Sequence, residues 1–378
     1  MLESNFSLDR GLLNLAVHTF QPSRLTVARE YRGLAKNELA KKIQKTSSAI
    51  SQFELGLSKP DKETLLSICW TLGFSPNFFA TKLDKPRFDL DSCHFRSLKG
   101  TSQFDRRQAL ANGSLLLDLI KVLEEFVDLP EVKLLPSDRE ITSDKDVEEI
   151  AIGLRRQWGL GNGPIPDISK LIESKGILIC PLSEKFEGID AFSSWSEERP
   201  IIFSVFHPKA ASRERFNLAH ELGHLVMHVD AKPGNTDNER QANRFGSAFL
   251  MPAETFREEF PRIIDWDHFI ALKHRWKVSL AAILRRGLDL ELISYSTYQR
   301  AFVGLSQRGW RTEEPEEFAH EHPVMLQRAY ELTNQQIKKD GTDLATAANL
   351  PEDFIGSVFM KDISGYSDSR ASKISLES

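Results

Sequence analysis

The chain has 378 residues, 40% of them hydrophobic and 27% charged, with a net charge of −5. That is ordinary for a globular protein, and at about 100–200 residues per domain it predicts two or three domains. No apolar run reaches the length of a membrane span, and the N-terminal MLESNFSLDRGLL lacks the basic start and cleavage site of a signal peptide, so the expectation is a cytoplasmic protein without a membrane partner.

The three cysteines, Cys69, Cys93 and Cys180, are odd in number and scattered. They indicate neither a disulfide framework nor a cysteine zinc cluster and are expected as reduced thiols. Charge is distributed unevenly. Between Gln21 and Pro86 there are 11 Lys or Arg against 6 Asp or Glu, a local +5 that leaves −10 on the rest of a chain whose total is −5. A basic module joined to an acidic body suggests a polyanion partner.

Within that basic segment, Leu25, Ala28 and Tyr31 mark a first helix, KNELAKKI a second, and TSSAISQFE a third after a short turn, which is helix-turn-helix spacing. Thr46 is the expected N-cap of the third helix, with Ile50 and Phe53 facing inward. Ser47, Ser48, Ser51 and Gln52 are then left exposed toward a major groove. Gly56 breaks the chain, and two further helices are predicted to start at Asp61 and Ser75. Over about 65 residues the segment resembles the phage-repressor-like XRE family of DNA-binding domains. The resemblance implies double-stranded operator DNA as a partner and base contacts from Ser47, Ser48 and Gln52. From Arg87 to Pro136 the chain is mixed. CHFRSLKGTS reads as a polar turn, and DRRQALANGSLLLDLIKVLEEFVDLP as a connecting helix packed on the next domain or on a partner copy.

The next domain is expected to start near Ser143, where SDKDVEEIAIGLRRQWGL combines an N-cap, early acids and late arginines. A short helix at Asp167 to Ser174 follows. GILICPL, GIDAFSSW and RPIIFSV then read as three strands of a small sheet. Gly188 to Trp195 is the candidate edge strand for an extended substrate peptide, while Trp195 also fits plain hairpin packing. His207 reads as a loop-capping residue rather than a transition-state donor.

The stretch RERFNLAHELGHLVMHV, Arg213 to Val229, carries the chemistry. On a helix of about 100° per residue, His220 and His224 share one face, while Leu218, Leu222, Leu225 and Val229 form an apolar stripe. Glu221 lies between the histidines, offset so that its carboxylate stands beside a metal-activated water rather than on the metal. This is the HExxH arrangement of zinc peptidases. Zinc needs a further protein ligand, and there are two candidates. His228 continues the i+4 series, but one helix would have to bend to bring three turns around one ion, so it reads as a rim residue or a support for a ligand. Glu239 opens ERQANRFGSAFLMP after a Pro/Gly loop, hence on a separate helix, and is the better placed ligand. Asn243, one turn on, is placed to hydrogen-bond a ligand imidazole. Ala242, Phe245 and Phe249 form that helix's apolar stripe.

RFNLAHELGHLVMH followed by ERQANRFGSAFLMP resembles the ImmA/IrrE family of zinc metallopeptidases over roughly residues 150–290. The resemblance implies a cytoplasmic peptidase that controls a repressor by cutting it, with His220, His224 and Glu239 as Zn2+ ligands and Glu221 as general base. Helices carrying Leu272, Trp276, Leu280 and Leu284 resemble the helical extension of that family. Beyond Trp310, an acidic EEPEEFAHEHP stretch leads to MLQRAYELTN, GTDLATAANL and PEDFIGSVF. Here His320 and His322 read as loop residues, and Asp343 to Phe354 as a small helix-turn-helix whose acids suit dimerisation or sensing better than DNA. The serine-rich tail from Asp362 is expected to be disordered.

The expected fold class is thus α+β and mostly helical. It comprises an all-α helix-turn-helix domain (21–86), a helical linker (87–142), a zincin-like peptidase domain with a small β-sheet and helical extension (143–300), a helical C-terminal module (301–361) and a tail (362–378). The expected function is a DNA-binding zinc metalloendopeptidase and transcription regulator, acting in a stress or mobile-element response, whose substrate is a repressor or antitoxin-like protein. A homodimer is a further expectation. Two other readings stand beside it: a regulator whose zinc domain senses or scaffolds without cutting, and an antitoxin-type module.

Overall fold

A computed structural model describes residues 10–82, 94–95, 102–182, 190–196, 199–206, 210–229, 235–338 and 342–359. The N-terminal helices are α1 (Arg10–His18), α2 (Pro22–Tyr31), α3 (Lys36–Lys42), α4 (Ser47–Glu54), α5 (Lys62–Leu72) and α6 (Pro76–Ala80). Side-chain caps define the starts of the last three. Thr46 accepts from Ala49 N, Asp61 from Thr64 N and Ser75 from Phe78 N, each satisfying an amide that the helix cannot. Leu25, Ala28, Leu39, Ile50, Leu65 and Ile68 are fully buried between these helices.

A two-residue strand, β1 (His94–Phe95), precedes the long helix α7 (Gln103–Glu124), then α8 (Asp144–Gln157) and α9 (Ile168–Ser174). Strands β2 (Leu178–Pro181), β3 (Ala191–Ser196) and β4 (Arg199–Ser204) complete a sheet of order β1-β3-β4-β2, with β2 parallel to β4 and the other pairs antiparallel. β1 corrects the reading of CHFRSLKGTS as a turn: His94 pairs with Ser193 and Phe95 with Phe192. It also corrects the edge-strand assignment. At Phe192 and Ser193 the third strand is internal to the sheet, whereas Gly188 lies outside the described residues.

Alternation along the strands divides the sheet's contacts between two cores. Leu178, Cys180, Ile201, Phe203 and Phe192 face a core shared with α7 and the N-terminal helices, while Ile179 and Ile202 face the other way, onto α10 (Ala211–Met227). That second core also takes α11 (Thr236–Leu250), α12 (Ala253–Glu259), α13 (Trp266–Trp276), α14 (Leu280–Asp289) and α15 (Tyr295–Gln307).

The C-terminal helices α16 (Met325–Ile337), α17 (Leu344–Ala348) and α18 (Glu352–Phe359) join the first core. Phe354 meets Tyr31 of α2 edge-on at 5.6 Å, and Asp353 pairs with Arg32. Burial raises the Asp353 carboxyl, but the Arg32 guanidinium outweighs it and holds the group below its usual range. Rather than packing only on the following domain, α7 is tied to the N-terminal helices. Asp118 pairs with Arg24, and Gln108 Nε2 donates to Tyr31 O at 3.1 Å.

The acidic run before α16 is anchored by helix N-termini, where unsatisfied amides and the helix dipole favour carboxylates. Glu321 accepts from Ile168 N at the start of α9 (2.7 Å), Glu317 from Ser212 N in the first turn of α10 (2.6 Å) and Glu314 from Leu280 N at the start of α14 (3.0 Å). Buried cations complete the arrangement. Lys273 bonds Glu314 and Glu317, and Arg215 pairs with Glu321. The residues from Asp362 onward, expected as a disordered tail, lie outside the described residues.

Candidate metal centre

The helix expected over RERFNLAHELGHLVMHV runs from Ala211 to Met227. Leu218, Leu222 and Leu225 are buried as the stripe requires, but Val229 is 42% exposed. The helix stops before it, at His228. α11 lies against this helix at close range because two glycines remove side-chain bulk. A Cβ on Gly223 would stand 2.9 Å from Phe245 Cδ1, and one on Gly246 would stand 3.2 Å from His220 N. The close approach carries Glu239, at the start of α11, to the two imidazoles.

His220 Nε2 and His224 Nε2 are 3.1 Å apart, and each lies 3.3 Å from a different oxygen of Glu239. Tetrahedral ligands held about 2.0–2.1 Å from a zinc ion stand about 3.3 Å from one another, so these separations fit such a centre. The donor set of two imidazole nitrogens and one carboxylate suits the same ion. These three residues are the one group among the described residues whose ligand atoms converge in this way and could hold a metal. Burial raises the Glu239 carboxyl, while contacts with both imidazoles outweigh that and hold it far below the usual range.

Neighbouring groups contact both imidazoles. Asn243 Nδ2 donates to Glu239 O at 2.8 Å, which leaves Asn243 Oδ1 to accept from His220 Nδ1–H at 3.2 Å and turns His220 Nε2 toward the cluster. His228 is buried beside His224, with their Nδ1 atoms 3.0 Å apart, and its Nε2 is 2.8 Å from Gln241 Oε1.

Glu221 is fully buried and stands off the three-residue cluster. Its Oε2 accepts from Ser193 Oγ at 2.7 Å, so the sheet fixes the carboxylate. Ser193 and Gln241 were not found from sequence. The first lies in a strand far from the motif, and nothing in the spacing of the second marks it. Trp195 packs partly buried against the peptidase-side core, and its Nε1 donates to Leu225 O at 3.1 Å. His207 lies outside the described residues. His320 is in a loop, its Nδ1 2.8 Å from Glu214 Oε2, and joins no metal cluster among the described residues.

In the N-terminal domain Ser47, Ser48 and Gln52 are exposed on α4, and Ser51 is half-buried. Arg29 pairs with Glu54 at 2.6 Å and braces the C-terminal end of that helix against α2.

Fold and site together define a helix-turn-helix protein that also carries a metallopeptidase-like domain. Residues 172–287 match the model of a peptidase family described as the IrrE N-terminal-like domain, and residues 27–79 match the helix-turn-helix model. Together these two matches reproduce the ImmA/IrrE architecture that the sequence resembles. No curated relative matches the chain. No described helix is long and apolar enough to cross a membrane.

Proposed function

We propose that the protein is a DNA-binding zinc metalloendopeptidase that regulates transcription in the cytoplasm by cutting a repressor or antitoxin-like protein. The observation that carries this reading is the spacing of His220, His224 and Glu239, whose ligand atoms stand 3.1–3.3 Å apart, with the buried Glu221 on the same helix as the two histidines. Those three residues would hold zinc, and zinc when bound would act as a Lewis acid on the scissile carbonyl.

The remaining chemistry belongs to the chain. Glu221 accepts a proton from the attacking water and returns it to the departing amide nitrogen, the two halves of general acid–base catalysis. Ser193 keeps Glu221 in one orientation through the 2.7 Å bond, which removes part of the entropic cost of aligning the base. The exposed Ser47, Ser48 and Gln52 on α4 would read operator DNA while basic residues of the same domain contact phosphates.

The test is incubation of the purified, zinc-loaded protein with each helix-turn-helix repressor that proves to be encoded beside its gene, followed by mass spectrometry of the products. Two fragments that meet at a single peptide bond are expected. A repressor that stays intact overturns the peptidase reading and favours a zinc-containing regulator that cuts nothing.

A further inference from the structure

A hydrogen-bonded chain runs from His224 through His228 to Gln241, which lies on the same helix as Glu239. His224 Nδ1 is 3.0 Å from His228 Nδ1, and His228 Nε2 is 2.8 Å from Gln241 Oε1. His228 is only 4% exposed and His224 only 2%, so the link is shielded from competing water. The two rings stand 5.1 Å apart at a tilt of 55°.

A neutral imidazole carries one proton. If His224 directs an Nε2 lone pair at a metal, the proton must be on Nδ1, and His228 Nδ1 must then be an acceptor. His228 in turn carries its own proton on Nε2, which points at the amide oxygen of Gln241. Every donor meets an acceptor in one direction only. The other ligand imidazole has a separate support in Asn243 Oδ1.

We propose that His228 and Gln241 are positioning residues which lock His224 in the ring orientation and tautomer that a metal ligand needs. This deepens the metal-centre reading proposed above and rests on it. It also assigns a task to His228, which as a third ligand on one helix would require α10 to bend, whereas α10 ends at that residue. His228 acts through His224 and needs no contact with the ion.

The experiment compares His228→Asn, His228→Leu and Gln241→Leu with wild type in the full chain. Zinc affinity is measured by competition with a chromophoric chelator, and Co2+ substitution is followed by visible absorption. Asparagine and leucine have nearly the same shape, but only Asn presents an Oδ1 where His228 Nδ1 stood, able to accept from His224 Nδ1–H. Zinc affinity should fall about 10–100-fold for His228→Leu and stay within a few-fold of wild type for His228→Asn. Gln241→Leu, which leaves both imidazoles in place, should weaken zinc by a smaller factor and shift the Co2+ bands.

Equal losses in His228→Asn and His228→Leu would mean that the ring only fills space, and would overturn the proposal. Unchanged affinity in His228→Leu would overturn it as well. If neither His228 variant folds, Gln241→Leu decides: a wild-type affinity and spectrum overturn the proposal. Failure of the underlying reading has a different signature, since wild type itself would then bind no zinc.

Discussion

Ser193 Oγ and Glu221 Oε2 are 2.7 Å apart, so the third strand of the sheet holds the carboxylate on the central helix. The strand is held in register on both sides at that point, with Ser193 paired to His94 and to Ile202. A carboxylate fixed through a sheet that itself packs on two cores has little freedom to swing away.

The convergence of His220, His224 and Glu239 predicts about one zinc per chain. Alanine at any one of the three should abolish stoichiometric metal in purified protein, as read by elemental mass spectrometry, because two remaining donors close too little of the coordination sphere. Retention of zinc by Glu239→Ala together with its loss in His228→Ala would reassign the third ligand.

Exposed Ser47, Ser48 and Gln52 at the start and middle of α4 predict a modest sequence preference on top of salt-dependent binding. Gln52→Ala in the full chain should cost about 1–3 kcal/mol at the preferred site and leave binding to unrelated duplex unchanged. Fluorescence anisotropy at several salt concentrations measures both. An equal loss on every duplex would mean that Gln52 does not read a base edge.

Glu148 joins three helices of the peptidase region. From α8 it pairs with Arg244 of α11 at 2.6 Å and with the fully buried Arg286 of α14 through two bonds of 2.5 and 2.9 Å. Burial raises its carboxyl, but Arg286 and Arg244 outweigh that and hold it below the ordinary value of 4.5. Glu148→Gln leaves a buried guanidinium without its charge partner and should lower the Tm near neutral pH. Because the folded value lies below the unfolded one, the wild-type advantage is complete above about pH 4.5 and disappears as pH falls through the folded value. Thermal unfolding of both proteins across that range should show the difference in Tm closing toward acid.

Phe354 is fully buried and lies edge-on to Tyr31 at 5.6 Å, so the C-terminal helices support the DNA-binding domain. Phe354→Ala should destabilise by about 3–5 kcal/mol through loss of apolar burial and the cavity left behind. Hydrogen exchange should rise in α2 as well as in α18. Unchanged protection of the α2 amides would show that the two segments open independently.

Local chemistry explains which features were legible in the sequence. Thr46, Asp61, Ser75, Ser143 and Asp167 cap helices where their hydrogen-bonding chemistry indicates, and Asn243 meets His220 because both belong to periodic helix faces. What was missed depends on partners distant in the chain. The β1 strand is defined by pairing with Phe192 and Ser193, Ser193 matters only because the sheet brings it to Glu221, and the acidic run becomes structural by meeting the amides of α9, α10 and α14. Charge density alone says nothing of such partners, yet Glu321 pairs with the buried Arg215.

Glu221→Gln separates chemistry from architecture. The substitution keeps the size and hydrogen-bonding capacity of the side chain and leaves His220, His224 and Glu239 unchanged, so zinc content, thermal stability and DNA binding should match wild type. An amide cannot take up the proton of an attacking water, so cleavage should fall by orders of magnitude. Ser193→Ala removes only the 2.7 Å bond that orients the base and should fall between the two, with the loss in kcat rather than in zinc content. The three forms are co-expressed with a candidate repressor from the same gene neighbourhood under DNA damage or another stress, with the repressor followed by immunoblot and operator-driven transcription read in parallel. Loss of repressor with wild type, slower loss with Ser193→Ala and none with Glu221→Gln is the expected order. Identical transcriptional responses from wild type and Glu221→Gln, with the repressor intact throughout, would leave a zinc-containing DNA-binding regulator in place of a protease.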